Sequence, residues 1–284
     1  MPAEVVATGI PFGEASVWCD DGTLVVPSVA AGALYRVRPA DGRTEVVART
    51  GGGPNGIAPL SDGGFLVCQN GGFDFAAQGL HIEGIPPYEP VRAGLQRVHV
   101  DGRVEYLDDV GWLAPNNAMV RSDGTLFVSD SGPYPPPTDG VGRVLTVDRT
   151  GNVRVLVDGL RYPNGIARDP QDGVVVVEQQ GVIVITEDGD TRWIIEDIGA
   201  HPDGLCVDAD GRMYVAATTS GVRVVEDGRV IDTLAVEGGL ITSCCFGGSD
   251  GRTLFATNAL AATVVAWESM PCRGLEVLAW QPPG

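Results

Sequence analysis

Short apolar stretches separated by polar turns run along the whole chain, and six of them begin directly after an Asp-Gly pair. In chain order these stretches read TLVVPS, GFLVCQ, TLFVSD, VVVVEQ, RMYVAA and RTLFAT. Glycine accepts a positive φ angle freely and aspartate tolerates it better than most residues, so Asp-Gly between two apolar segments favours a tight hairpin. Each copy therefore predicts two antiparallel strands joined at the Asp-Gly pair.

A second alternating pair of segments follows most copies and also turns at a glycine. These pairs read LYRVRPADGRTEVV, LQRVHVDGRVEYL, VLTVDRTGNVRVLV, VIVITEDGDTRWII and VRVVEDGRVIDTL. The repeating unit is thus four strands, and it recurs at intervals of 39 to 61 residues. We predict an all-β, six-bladed β-propeller with four-stranded antiparallel blades, an architecture whose radial packing protects strand edges. Residues 1–284 would form it as a single domain, with a long loop insertion at about 70–95.

A polar residue stands eight or nine positions before the glycine of the first hairpin in every copy. The six residues are Glu14, Asn55, Asn116, Asn164, Asp203 and Thr242. Equivalent positions of a propeller lie on a ring, and this one starts the innermost strand beside the central channel. Carboxylates, amides and a hydroxyl offer only oxygen ligands, which suit a hard cation, Ca²⁺ above all. The ring therefore predicts a metal-binding channel.

The ring residues also have a structural interpretation. Asparagine before glycine, as at Asn55 and Asn164, tolerates the left-handed backbone region and could merely shape the start of a strand. We favour a structural role for Asn55 and Thr242. We do not favour it for Glu14 and Asp203, because two acids facing one channel would repel each other unless a cation or a proton lay between them.

Composition excludes several classes of function. With 19 Lys+Arg against 37 Asp+Glu, the formal net charge is −18, so we expect no nucleic-acid partner. The sequence contains no lysine, which excludes Schiff-base chemistry and a P-loop. No apolar run approaches the ~18 residues of a membrane span, and the first residues lack the features of a signal peptide. We expect a cytoplasmic monomer or weak homo-oligomer with a small-molecule substrate, no membrane contact and buried, reduced cysteines.

The segments around the ring resemble the senescence-marker-protein/gluconolactonase family, also called the regucalcin family, over nearly the whole chain. The matching segments are GEASVW, PNNAMVRSDG, YPNGIA, HPDGLCVDADGRMYVA and TSCCFGG. The family's six-bladed propeller holds one divalent metal in its channel. The resemblance implies that Glu14, Asn164 and Asp203 are metal ligands and that Asn116 is a further ligand or a substrate contact. It also implies that Asp203 activates water, with Ca²⁺ as the default cation and Zn²⁺, Mg²⁺ or Mn²⁺ as alternatives.

The chain departs from the family around Asn116. The family usually shows an arginine and an acid there, where this chain has Ala114 and Asn117. The loss removes a bidentate donor suited to polar sugar acids, so the resemblance leaves the choice of lactone open. We expect Asn116 and Asn117 to contact the substrate.

Substrate choice should depend on the insertion at 70–95, which resembles a lid, and on the proline-stiffened loop at 131–140. Candidate wall residues in these two loops are Phe73, Phe75, His81, Tyr88 and Tyr134. Ordinary loop packing is the alternative for each of them.

The predicted activity is metal-dependent hydrolysis of a sugar-derived or other small lactone. The cation would polarise the ring carbonyl while a carboxylate takes a proton from the attacking water. Three alternatives remain open on the same ring. One is hydrolysis of another ester or a phosphorus ester, another is a pathway-specific cyclase or isomerase, and the third is a non-catalytic, metal-stabilised binding propeller.

Overall fold

The fold of the protein is described from a computed structural model, which defines residues 2–107 and 110–283. These residues form 24 strands in six separate four-stranded sheets. All the strand pairs within the sheets are antiparallel. The predicted six-bladed β-propeller is thus confirmed. Within the same residues, no helix is long and apolar enough to cross a membrane.

The four strands of each blade are numbered from the channel outward. The first strand of the chain, β1 (Glu4–Thr8), belongs to the last blade. Blade 1 contains β2 (Val17–Trp18), β3 (Leu24–Ser28), β4 (Ala33–Arg38) and β5 (Arg43–Arg49). Blade 2 contains β6 (Pro54–Pro59), β7 (Phe65–Gln69), β8 (Gly94–Val98) and β9 (Val104–Tyr106). Blade 3 contains β10 (Pro115–Val120), β11 (Leu126–Asp130), β12 (Gly142–Val147) and β13 (Val153–Leu160).

The remaining blades follow in the same order. Blade 4 contains β14 (Ile166–Arg168), β15 (Val174–Glu178), β16 (Gly181–Ile185) and β17 (Thr191–Ile195). Blade 5 contains β18 (Pro202–Val207), β19 (Met213–Ala217), β20 (Gly221–Glu226) and β21 (Arg229–Leu234). Blade 6 contains β22 (Ile241–Gly247), β23 (Thr253–Asn258), β24 (Thr263–Trp267) and β1. Because β1 pairs with β24, the two ends of the repeat array are joined by backbone hydrogen bonds.

The Asp-Gly hairpins fold by the mechanism that the sequence predicts. In blade 2, Gly63 has a φ of +88°, and Asp62 Oδ1 accepts the N–H of Gly64 at 3.1 Å. The corresponding aspartates of three other blades accept the N–H two residues on in the same way, namely Asp21, Asp123 and Asp250. The glycine supplies the positive φ and the carboxylate fixes the turn, so the apolar strands on either side pair in one register.

The two ends of the channel are surrounded by different kinds of connection between strands. The first strands begin at what we call the upper face, which also carries the connections between second and third strands and the segments that cross between blades. The longest of these connections joins β7 to β8 and covers residues 70–93, slightly less than the 70–95 expected. The Asp-Gly hairpins lie at the opposite, lower face.

A segment after β24 runs across the lower face and covers the channel there. The N–H of Leu275 donates to Val207 O at 2.9 Å, and the N–H of Trp280 donates to Pro59 O at 2.8 Å. Trp280 is buried in the apolar core between blades 2 and 3. Residues 275–278 form one wall of a channel cavity of about 120 Å³, whose other walls are the first strands. Residues 275–278 therefore cover the channel at its lower face.

The expected buried, reduced thiols are found for only half of the cysteines. All six are free, and Cys68, Cys244 and Cys245 are buried. The other three are partly exposed rather than buried, namely Cys19, Cys206 and Cys272. The Cys206 and Cys244 thiols on neighbouring first strands are 3.6 Å apart, within the distance of a sulfur hydrogen bond in which either thiol could donate.

Candidate active site

The ring residues lie where the first strands are irregular. Four of them coincide with a register shift against the second strand, namely Asn55, Asn116, Asp203 and Thr242. Glu14 and Asn164 instead precede β2 and β14 by three and two residues, so they lie just outside the strands they were expected to start. In a regular strand, side chains alternate between the two faces of the sheet. In a propeller, each face packs against a neighbouring blade. A bulge turns a side chain out of that alternation and allows it to face the channel.

Glu14 and Asp203 come close enough at the upper end of the channel to affect each other's charge. Burial, followed by the negative charge of Asp203, raises the pKa of Glu14 well above its usual value. Burial raises the pKa of Asp203 to about 7, although a hydrogen bond from the Asn164 side chain opposes the shift. Two buried carboxylates with raised pKa values need a proton or a cation to be stable together.

Two amide oxygens of the ring lack any hydrogen-bond partner among the described residues. They are the buried Oδ1 atoms of Asn55 and Asn164. A buried acceptor left unsatisfied costs about 1–3 kcal/mol, so these atoms favour a bound donor or cation. Asn116 Oδ1 accepts a hydrogen bond from Asn117 Nδ2 at 3.2 Å and keeps one lone pair free. The Thr242 hydroxyl donates to Gly13 O at 2.7 Å, which gives it a structural contact.

Asparagine before glycine was expected to serve here by tolerating the left-handed backbone region. This expectation is wrong, because neither Asn55 nor Asn164 has a positive φ angle. The glycine after each asparagine is required for close approach of neighbouring blades instead. A Cβ atom on Gly56 would lie 2.4 Å from Asn116 O, and one on Gly165 would lie 2.6 Å from the Leu205 nitrogen. The Pro-Asn-Gly segments therefore allow the first strands to fit together around the channel.

The donor set at the ring fits a hard cation. Nowhere in the described residues do three or more His, Cys, Asp or Glu side chains converge as a metal cluster. A metal at the ring would thus depend on two carboxylates supplemented by neutral amide oxygens. Ca²⁺ accepts this mixture of carboxylate and amide oxygens, and it would satisfy the two unpaired amide oxygens and neutralise the carboxylate pair.

A second set of buried polar residues holds the segments that lead to the ring. Each is the last residue of the second strand of its blade: Ser28, Gln69, Asp130, Glu178 and Asn258. The Asp130 carboxylate accepts the N–H groups of Leu113 at 3.1 Å and of Ala114 at 2.6 Å. It also pairs with the Arg143 guanidinium at 2.8 Å. These contacts fix the chain immediately before Asn116.

Four of the remaining blades use equivalent contacts. Glu178 accepts the N–H of Arg161 at 2.8 Å, immediately before the segment that carries Asn164. Ser28, Gln69 and Asn258 likewise bond to backbone atoms ahead of their ring residues. Blade 5 differs, because Ala217 occupies this position and offers no such side chain. Sequence reasoning missed these residues, although a polar residue at the end of the apolar run was a visible signal.

Tyr162 is a site residue that the sequence-based prediction omitted. Burial raises the pKa of its phenol strongly, and the charges of Asp203 and Glu14 raise it further, so the phenol lies near both carboxylates. Its ring packs edge-on against Tyr134 with centroids 5.8 Å apart. The motif YPNGIA places Tyr162 two residues before Asn164, and this position was the available signal.

Comparison with known proteins determines the family. Residues 12–260 match the family described as the SMP-30/gluconolactonase/LRE-like region. The chain belongs to this family. A 6-deoxy-6-sulfogluconolactonase of Pseudomonas putida is 27% identical over 92% of this chain and 89% of its own length. The regucalcin of Xenopus laevis is 38% identical over a shared segment that covers 28% of this chain and only 27% of that protein.

A solved structure agrees with the fold of this SMP-30/gluconolactonase family member. The calcium-binding protein regucalcin from Agrobacterium tumefaciens superposes with a TM-score of 0.76 at 18% identity, over 99% of this chain and 96% of that chain. At this identity the likeness shows the propeller fold alone. The family resemblance expected from the ring segments is confirmed by the match of residues 12–260 to the family.

The expected substrate contacts fall into two groups within this family member. Asn116 and Asn117 lie at the ring, where they are hydrogen-bonded to each other. Four others line a cavity of about 600 Å³ between the insertion and blade 1, namely Phe73, Phe75, His81 and Tyr88. Tyr134 is exposed and lies between the groups, with its ring 5.9 Å from Phe73 and 5.8 Å from Tyr162.

Proposed function

We propose that the protein is a metal-dependent lactonase whose channel ring binds one divalent cation, with Ca²⁺ as the default ion. The observation that carries this proposal is the approach of the carboxylates of Glu14 and Asp203 to each other beside unpaired amide oxygens. The name of the P. putida relative supports lactone opening as the reaction class. Zn²⁺, Mg²⁺ or Mn²⁺ could replace Ca²⁺ in vitro.

Glu14, Asn164 and Asp203 would hold the cation. Asn116 retains a free lone pair, and the unpaired Oδ1 of Asn55 makes that residue a further candidate ligand. A bound cation polarises a lactone carbonyl and stabilises the negative charge that develops on its oxygen. The ring thus combines electrophilic assistance with the carboxylate chemistry of its own residues.

Asp203 is the proposed proton acceptor. The water oxygen bonds to the carbonyl carbon, and the ring C–O bond of the lactone breaks. Asp203 takes a proton from that water and returns it to the departing ring oxygen, so the product is the hydroxy acid. The raised pKa of Tyr162 keeps its phenol protonated at neutral pH, so it remains a hydrogen-bond donor beside the carboxylates.

A substrate panel tests this proposal. The purified protein is assayed with Ca²⁺ and with chelator against sugar lactones, alkyl lactones, aryl esters and a phosphorus ester. We expect the lactones to be opened fastest and chelator to abolish the activity. Preference for the aryl or phosphorus ester would favour the other hydrolase classes instead. Tight Ca²⁺ binding without turnover of any substrate would overturn the proposal in favour of a cyclase, an isomerase or a binding propeller.

A further inference from the structure

A row of aromatic rings leads from the ring residues to the cavity under the insertion. It begins at Tyr162 beside the carboxylates and continues through Tyr134 to Phe73, in steps of 5.8 and 5.9 Å between ring centroids. Phe73 then packs edge-on against Phe75 at 4.9 Å. Phe75 contacts Phe12 at 4.6 Å, and Phe12 stands two residues before Glu14. The row therefore connects the two carboxylates with the cavity by apolar surface.

The cavity itself suits an apolar group. Its volume of about 600 Å³ falls in the range of small-molecule sites, about 300–1,000 Å³. The apolar residues that pack around Phe75 are Val29, Ala30, Leu80, Ile82 and Ile85. All of them also line the cavity. Five titratable residues line its wall, of which Arg49, His81, Glu83 and Glu89 are exposed and Asp74 is partly buried.

Six of the exposed large hydrophobic side chains lie in connections of the upper face: Tyr88, Val110, Leu113, Tyr134, Val141 and Leu260. Of these, Tyr134 belongs to the aromatic row and Tyr88 to the cavity wall. Ala114 precedes Pro115 and Asn116 at the ring, and its backbone N–H is bonded to Asp130. Its methyl side chain offers no donor for the hydroxyl or carboxylate groups of a sugar acid.

We propose that the substrate is a lactone with an apolar alkyl or aryl substituent, which lies along Tyr162, Tyr134 and Phe73 and ends in the cavity under the insertion. This inference rests on the proposed lactonase function. The lactone ring would bind at Glu14 and Asp203, while the substituent displaces water from the cavity. Specificity then depends on how much apolar surface the substituent buries.

The test uses the Ca²⁺-loaded protein and a series of lactones that share one ring and differ only in alkyl chain length. The value of kcat/KM should rise about fourfold for each added methylene until the cavity is filled, as expected for a buried methylene. The corresponding lactams resist hydrolysis, and their binding, measured by calorimetry, should rise in the same steps. Flat affinity and flat kcat/KM along the series would overturn the proposal.

Two tryptophan variants localise the effect. Ala76→Trp fills the cavity from an exposed position of its wall, whereas Ala40→Trp adds the same ring at an exposed turn between β4 and β5. We expect Ala76→Trp to abolish the dependence on chain length and Ala40→Trp to leave it unchanged. An unchanged dependence in Ala76→Trp would show that the chain binds elsewhere, against the proposal.

Failure of this inference is distinguishable from failure of the proposed function. Lactams that bind more tightly with chain length, combined with lactones that are not opened, would support the apolar site and contradict the lactonase activity. Rapid opening of unsubstituted lactones with no benefit from an alkyl chain would support the lactonase and contradict the apolar site. Phe73→Ala provides a second check, since it should reduce kcat/KM for the longest chain about tenfold.

Discussion

In the proposed function, the chemistry of the channel depends on Glu14 and Asp203. Burial raises the pKa values of both, and the negative charge of Asp203 raises the pKa of Glu14 further, so the doubly charged state is disfavoured. A proton relieves the repulsion but removes the base, whereas a cation relieves it and leaves a carboxylate ionised. The unpaired Oδ1 of Asn164 favours the cation. A cation can bind this oxygen and both carboxylates together, whereas a single proton bridges only two oxygens.

Asp203→Asn separates binding from chemistry, because it keeps the shape and one coordinating oxygen while removing the charge. We expect the cation to bind more weakly and turnover at full occupancy to fall by about 10²- to 10⁴-fold. Asn164→Ala is the matched comparison, since it removes a neutral ligand and its defect should be recovered at high metal concentration. Calorimetric titration confirms occupancy for each variant. Near-native turnover of occupied Asp203→Asn would refute the assignment of the base.

The raised pKa values predict how pH affects the metal-free protein. An acid whose pKa is raised on folding stabilises the folded state at low pH, and this contribution is lost as pH rises through the folded pKa. For Asp203 the window extends from the usual value of 3.8 to about 7. We expect the free energy of unfolding in chelator, measured with urea, to decline across this window. The decline should be shallower in Asp203→Asn and with saturating Ca²⁺, and equal slopes in all three would contradict the carboxylate pair.

At the scale of strands and loops, a buried polar residue that ends the second strand holds the segment before the ring residue in five of the six blades, blade 5 being the exception. This contact explains how a loop can place a ring residue accurately, since it ties the preceding backbone to a rigid blade. Asp130 makes the most extensive contacts of this kind, with two N–H groups and Arg143. Such contacts were outside the reach of sequence reasoning, because a strand-ending polar residue shows its partner only once the blade has folded.

Asp130→Ala measures the value of this anchor. It leaves Arg143 without its buried partner, so we expect a loss of about 3–5 kcal/mol in the free energy of unfolding and weaker Ca²⁺ binding. Asp101→Ala is the control, because Asp101 and Arg103 form an exposed pair at 3.9 Å that contributes at most about 1 kcal/mol. Equal urea midpoints for the two variants would show that Asp130 does not hold the segment before Asn116.

The insertion between β7 and β8 should control substrate choice rather than folding. Shortening residues 74–90 removes Phe75, His81 and Tyr88 from the cavity wall. The entropic cost of closing a surface loop changes by only about 0.6 kcal/mol per doubling of its length. We expect the relative kcat/KM values of the lactone panel to change while Ca²⁺ affinity, measured by calorimetry, stays the same. Unchanged kinetics on every substrate would show that the insertion takes no part in recognition.

At the scale of the whole molecule, the repeat determines how much of the fold can be predicted from the sequence. Six copies of one pattern specify the blades, and the register that the copies share specifies the six ring residues. The aromatic row could not be predicted in the same way, because its residues lie in four separate connections between strands, which do not share the repeat. These residues are Phe12, Phe73, Tyr134 and Tyr162. The closing pair of β1 with β24 and the course of residues 275–278 were equally unpredictable, because neither segment belongs to the repeat.

We propose that the ring at the upper end of the channel is a metal-dependent catalytic centre. The most direct measurement is the initial rate of lactone opening by chelator-stripped protein as Ca²⁺ is added in sub-stoichiometric steps at high protein concentration. We expect no activity without metal and a linear rise in rate that breaks at one ion per chain. A rate that is the same in chelator and in excess Ca²⁺ would contradict this proposal.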